Sequence, residues 1–353
     1  MPKHPARKRK YKRNSPKTVD IKKRQAKIRQ TFAVLTLLII SICFLSGYAF
    51  YKKITQEFAS AFSYQSQDLL SQDLFSAAFL VVDDLDAEPL LVKKISLYIF
   101  DKDTLKLIIY ELPVDTVIDV PGKFGEEPFS HILALGLLEK YDLDASSRLL
   151  TESIFKLLAF PVDRYLLVEG EAEDFFKGLL AGRLSIASEK EIYLLKERVR
   201  TDFKLNELFD IYRFVRSLPE DRMLGKEVGD TYLENPNLID EELMDLTFDS
   251  ELSREKKNIA ILNGTTQQGV ANFGARVIKN FGGRVVAVGN TLQTYEESII
   301  ITDDDISEST RIISQIFGIK KVILNSDALN FDENEINRSD ITIIFGLDFA
   351  TTL

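Results

Sequence analysis

The chain has 353 residues, a formal net charge of −9, 28% charged side chains and 45% hydrophobic ones. Its single cysteine, Cys43, excludes an intramolecular disulfide, and two histidines, His4 and His131, exclude a His-based multi-ligand metal site. The first 30 residues hold 13 Lys/Arg against one carboxylate, Asp20, so residues 31–353 sum to −21, an acidic body that argues against direct binding to DNA or another polyanion.

Phe32 to Phe50 is a run of 19 residues without a charge, the length an α-helix needs to cross a hydrocarbon core. The basic tail before it, set against only Lys52 and Lys53 after it, predicts a cytoplasmic N-terminus with residues 52–353 outside. A cleaved signal peptide competes with an uncleaved signal-anchor. The run exceeds a usual h-region, and Ser46-Gly47-Tyr48-Ala49 is followed by bulky Phe50-Tyr51, which favours the anchor. Beside a membrane helix the basic tail serves as a topogenic signal and a partner for anionic lipid rather than nucleic acid. The predicted location is the cell membrane, single-pass, with an external part large enough for two cores.

Residues 52–76, rich in Ser and Gln, read as a stalk. Ala77–Val82 is a predicted strand ending in the acidic run Asp83-Asp84-Leu85-Asp86. Lys94–Phe100 and Leu105–Leu112, joined by Asp101-Lys102-Asp103, predict a hairpin. Pro113-Val114-Asp115-Thr116 breaks the run, and Val117–Val120 leads into the turn Pro121-Gly122. Leu149, Leu150, Ile154, Leu157 and Leu158 give Ala145–Leu158 helical spacing, Pro161 ends it, and Tyr165–Val168 is another strand. The layout is α/β.

These residues, SLYIFDKDTLKLIIYELPVDTVIDVPG, then FSHILALG, then LLTESIFKLLAFPVDRYLLVE, resemble the N-terminal half of the LytR-CpsA-Psr domain in order and spacing. RTDFKLNELFDIYRFVRSLPEDR, residues 200–222, resembles the helix near that domain's end. The family comprises extracytoplasmic, membrane-anchored phosphotransferases that move glycopolymers from a polyprenyl-pyrophosphate carrier onto peptidoglycan, using arginines and Mg²⁺ held by carboxylates. This sequence departs from that pattern. Val114 stands where the family's "PRDT" carries arginine, leaving Asp115. The family's "RSDT" aligns near Val92-Lys93-Lys94-Ile95, which puts a lysine at a metal-binding carboxylate position. The arginine segment expected after Gly170 is absent up to Leu195. Transfer from a pyrophosphate needs clustered cations, so the resemblance implies a degenerate domain.

The candidate site residues each have a plainer role. Asp115 is a candidate for a residual metal ligand, although capping a turn after Pro113 suits it better. Asp83 and Asp84, with Asp86, are candidates for Mg²⁺, which favours carboxylate oxygens, although such acidic runs at strand ends are usually solvated loops. His131 lies in the place of the family's histidine-containing segment, as a candidate general base or an ordinary helix-surface or core histidine.

Leu218–Lys257 is irregular and acidic, with a short helical candidate around Asp240–Leu246, and reads as the end of the first domain plus a linker. Beyond it, Lys257–Leu262, Arg284–Val288, Ser298–Thr302, Lys321–Leu324 and Ile341–Phe345 are predicted strands. Val270–Phe281 and Ser307–Phe317 are predicted helices, the first stopped by Gly282-Gly283. Asn263-Gly264-Thr265 lacks the spacing and the Lys-Ser/Thr of a phosphate loop, and Asp303-Asp304-Asp305 leads into the second helix, where negative charge suits the dipole. IAILNGTTQQGVANFGARVIKNFGGRVVAVGN and SDITIIFGLDF resemble the LytR C-terminal domain over nearly its whole length. That family has no known catalytic residues to carry over.

The expected organisation is a basic tail (1–30), a transmembrane helix (31–51), a stalk (52–76), a degenerate LytR-CpsA-Psr-like α/β domain (77–245), a linker (246–257) and a small C-terminal α/β sandwich (258–353). The expected function is a membrane-anchored cell-envelope protein without catalysis, binding wall glycopolymer, a polyprenyl lipid carrier or assembly partners, and not nucleic acid. That reading needs no cofactor. The alternative is an active phosphotransferase using Mg²⁺. A transcription regulator is disfavoured, because both folded domains lie outside if the helix is uncleaved.

Overall fold

Leu74–Val82, LFSAAFLVV, forms an interior strand of a six-stranded sheet in a computed structural model that describes residues 74–139, 141–183, 197–229, 235–246, 251–328 and 331–353. The predicted transmembrane helix and most of the predicted stalk lie outside these residues. Among the described residues no helix is long and apolar enough to cross a membrane. All of them belong to the unit Glu57–Leu353.

The chain runs up β1 (Leu74–Val82), returns antiparallel on β2 (Val92–Asp101), and turns through Leu105 at φ 52° into β3 (Lys106–Leu112). Asp101 caps that turn by accepting the Thr104 amide at 3.0 Å. This is the predicted hairpin. β4 (Val117–Val120) and β5 (Gly125–Pro128) make a small ribbon before α1 (Ile132–Leu138) and α2 (Leu143–Leu158). β6 (Arg164–Glu169) then lies parallel beside β1, with Ala77 opposite Arg164. After α3 (Glu173–Leu180), β7 (Val199–Thr201) pairs antiparallel with β6. α4 (Leu205–Ser217) leads to β8 (Met223–Glu227), parallel to β3, and α5 (Pro236–Leu246) follows. The sheet order is β7-β6-β1-β2-β3-β8.

Helices cover both faces because the strands are apolar on both. From β1, Phe75, Ala77, Phe79 and Val81 enter one core with α3 and α4; Ala78, Leu80 and Val82 enter the other with α1, α2 and α5. β1 begins at Leu74 rather than at Ala77 because the Phe75 ring stacks on Phe100 at 4.7 Å. β5, α1, α3, β7 and β8 have no counterpart among the predicted elements. All are short, and β8 is an edge strand that is mostly exposed, so neither period marks it.

α6 (Glu251–Glu255) leads into a five-stranded sheet. Its elements are β9 (Asn258–Asn263), α7 (Val270–Asn280), β10 (Arg284–Asn290), β11 (Ile299–Thr302), α8 (Glu308–Phe317), β12 (Lys321–Leu324), β13 (Ile341–Phe345) and α9 (Leu347–Ala350). The order is β10-β9-β13-β11-β12, parallel except between β11 and β13. α7 and α8 pack on one face through Val277, Ile278, Ile313 and Phe317. Gly274 is required there, since a Cβ would lie 2.2 Å from the Phe345 ring. The predicted β-α-β passes and added strand are all present.

The two sheets are joined through α7. Phe281 stacks on Phe160 at 4.7 Å, Phe273 meets Phe155 edge-on at 5.2 Å, and Ala159, fully buried, belongs to the C-terminal core.

Candidate functional site

The strand directions decide which charged residues meet. β1, β6, β3 and β8 are mutually aligned, and β2 and β7 run against them. The carboxyl ends of the aligned strands, where open α/β sheets place ligands, therefore coincide with the starts of β2 and β7. Among the described residues Lys93, Lys94, Lys177 and Arg198 gather along this edge near β2 and β7, each with a carboxylate, and Lys226 at the end of β8 pairs with Glu242 at 2.6 Å. Lys93 lies 3.0 Å from Asp83, and Lys94 lies 2.9 Å from Glu111. Lys177 pairs with Glu173, and Arg198 reaches Glu171 and, at 3.8 Å, Glu169. Its pairing to Glu173 raises the Lys177 ammonium above its ordinary value. Tyr98, buried beneath Glu111 and Glu173, is pushed up to about 12, chiefly by burial.

The predicted residues sit around this edge without converging. Asp83 is engaged by Lys93 and is 74% exposed. Asp84 accepts the Asp86 amide at 2.8 Å and the Ala87 amide at 3.3 Å, so it shapes its own loop. Asp86 is exposed. Asp115 is exposed in the turn closed by Thr116 N–H to Pro113 O at 3.3 Å. Val114 packs against the core, and its carbonyl accepts the Ser130 amide at 2.9 Å. His131, exposed just before α1, lies 3.7 Å from Glu127. Among the described residues no group of three or more His, Cys, Asp or Glu side chains could hold a metal ion. Lys94 adds a positive charge at the start of β2. The donor set does not fit Mg²⁺, which needs convergent oxygens.

Chemically the edge is a row of mutually neutralised pairs. Among the described residues near β2 and β7, the carboxylates Asp83, Asp84, Glu111, Glu169, Glu171 and Glu173 outnumber Lys93, Lys94, Lys177 and Arg198, so a pyrophosphate would have to displace acids to bind. Sequence reasoning missed Lys177 and Arg198. Both lie far along the chain from β2, and only the pairing of β1 with β6 brings them close.

A second polar cluster lies at the opposite end of β6 and is buried. Arg164, 7% exposed, pairs with Glu207, 1% exposed, at 3.0 Å. Asp163 accepts the Ser76 amide at 2.8 Å and Asp202 the Tyr165 amide at 2.8 Å. The Tyr165 hydroxyl donates to Asp144 at 2.7 Å. Burial pushes Asp163 up to about 6 and Asp202 up to about 7, against the pull of those amides and of Arg164. The Thr201 hydroxyl donates to Tyr165 O, so Thr201, Asp202 and Glu207 tie α4 and β7 to β6.

Residues 257–349 match the model of the LytR_C family, the LytR cell envelope-related transcriptional attenuator. No curated protein matches the chain by sequence. By structure the chain is similar to TagT bound to LI-WTA, with TM-score 0.36 and 14% identity over 53% of this chain and 96% of that one. It is likewise similar to the LytR-CPS2A-psr family protein YwtF (TagT) with bound octaprenyl pyrophosphate lipid, with TM-score 0.35 and 14% identity over 53% of this chain and 96% of that one. For B. subtilis TagV the values are 0.36 and 12%, over 48% and 97%. The LytR_C match therefore spans the second sheet and its helices, from β9 to β13.

Proposed function

We propose that this chain is a membrane-anchored, extracytoplasmic envelope protein that binds wall polymer, a lipid carrier or assembly partners without transferring phosphoryl groups. The anchor is residues 31–51, and the envelope setting is supported by the LytR_C domain at 257–349. One observation carries the non-catalytic reading. Lys94 stands where the resemblance calls for a metal-binding carboxylate, and it is neutralised by Glu111 at 2.9 Å. Phosphoryl transfer is catalysed mainly by cations held at the transferring group, and here each gathered cation already faces an acid. Removing one such donor typically lowers a rate by two to three orders of magnitude.

The test uses the full chain in detergent with a polyprenyl-pyrophosphate analogue. The expected result is retained binding with no Mg²⁺-dependent phosphate release. Turnover above background that is lost in Asp115→Ala would replace this reading with the phosphotransferase.

A further inference from the structure

We propose that the loops at the carboxyl ends of β9, β10 and β13 bind an uncharged glycan chain. The argument begins with charge. In a chain with 28% charged residues, residues 258–275 and 285–295 carry none. The loops within them are instead amide- and hydroxyl-rich: Thr266, Gln267 and Gln268 in one, Gln293 and Thr294 in the other, all exposed. Because β9, β10 and β13 are parallel, these loops open on the same end of the sheet, where α/β folds place ligands. α7 meets the first domain through Phe273 in its first turn and Asn280 in its last, and Lys156 of that domain donates to Leu353 O beyond β13, yet Gln267, Gln268, Gln293 and Thr294 remain exposed.

Tyr295 joins the loops. Its amide donates to Gly264 O at 2.7 Å, its carbonyl accepts the Leu347 amide at 3.0 Å, and its ring lies parallel to Phe331 at 6.0 Å. Gly264 is needed for this approach, since a Cβ would lie 2.9 Å from the Tyr295 ring and 2.7 Å from Phe345 O. Glu333, 7% exposed, accepts the Leu292 amide at 3.0 Å and the Tyr295 hydroxyl at 3.4 Å, and Gln293 donates to that hydroxyl at 3.2 Å. Leu292 remains 75% exposed and Leu347 37%. The result is a braced aromatic with an uncharged hydrogen-bonding rim and exposed apolar side chains.

A pyranose ring has the matching chemistry, with apolar C–H faces and hydroxyl edges that both donate and accept. A polyanion does not match. The loops hold no cation, and Glu296, Glu297 and Asp332 beside them are exposed. The inference deepens the wall-polymer reading and rests on it only for the envelope location.

The experiment is calorimetric titration of the full chain in detergent with N-acetylchitotetraose at low and high salt. Binding should change less than about twofold with salt, since no ion pair forms. Gln267→Ala with Gln293→Ala should weaken it about fivefold or more at unchanged Tm, the loss expected for about one hydrogen bond. Tyr295→Phe, which keeps the ring, should weaken it less. No binding, binding lost at high salt, or full affinity in the double variant would overturn the proposal. Polyprenyl-pyrophosphate turnover reads the first domain separately, so the two failures are distinguishable.

Discussion

Asn280, in the last turn of α7, donates its side-chain amide to the carbonyl of Leu158 at 3.1 Å, at the end of α2. The same amide lies 3.4 Å from Ala159 O and 2.9 Å from Asp240. The last carbonyls of a helix lack partners within it, and α2 ends with Ala159 in the left-handed region at φ 49°. A residue of the C-terminal domain thus caps a helix of the first domain. Arg276 adds a 2.7 Å pair to the same Asp240.

Asn280→Ala should therefore destabilise the protein by about 1–3 kcal/mol, the cost of leaving buried polar groups unsatisfied. Chemical denaturation of the full chain measures it. A loss below about 0.5 kcal/mol would mean that the cap is replaced by water.

The isolated segment 258–353 has its own sheet and helices, so it should still melt in one transition. Its Tm should lie below that of the same segment in the full chain, because Phe273 and Phe281 lose Phe155 and Phe160. Broad melting of the fragment would show that the two domains share one cooperative core.

The carboxylates of the buried cluster set a pH dependence. Asp163 and Asp202 have folded values of about 6 and about 7 against 3.8 when unfolded. A raised folded value means that the fold binds the proton more tightly. The stability from this source is complete below about pH 4 and is lost as pH rises to about 7. Asp202→Asn should flatten the decline in Tm across that range and stabilise the protein at pH 8 by roughly 1–3 kcal/mol. An unchanged slope would remove Asp202 as the cause.

Breaking the Arg164–Glu207 pair should be severe. Glu207→Ala leaves a 93%-buried guanidinium without its 3.0 Å partner and removes the acceptor of the Lys204 amide at the start of α4. The expected cost is about 3–5 kcal/mol. Replacing both residues together, as Arg164→Met with Glu207→Leu, should cost less than Glu207→Ala alone. A double variant less stable than that single one would argue against a charge effect.

Topology is testable at Ile306, 88% exposed. Ile306→Cys in a Cys43→Ser background should react with a membrane-impermeant maleimide in intact cells. Labelling only after lysis would place the body in the cytoplasm.

The β2–β3 hairpin, α2 and the C-terminal β-α-β passes were legible because local periodicity and turn residues specify them: Asp101-Lys102-Asp103 at one turn, Val277 and Ile278 on one helix face. Val114 and Lys94, on which the resemblance rests its expectation of a degenerate domain, are identities that need no fold to read. The tertiary structure alone decided what meets what. Asp83, Asp84 and Asp115 all suit acid-rich turns, yet Asp83 pairs with Lys93, Asp84 accepts an amide of its own loop and Asp115 is exposed in its turn. Lys177 and Arg198 reach the edge where Lys94 lies because β6 pairs with β1 across more than eighty residues. The Asn280 cap spans over a hundred. Periodicity reports which face of an element is apolar; it says nothing about which distant element that face, or the end of that strand, will find.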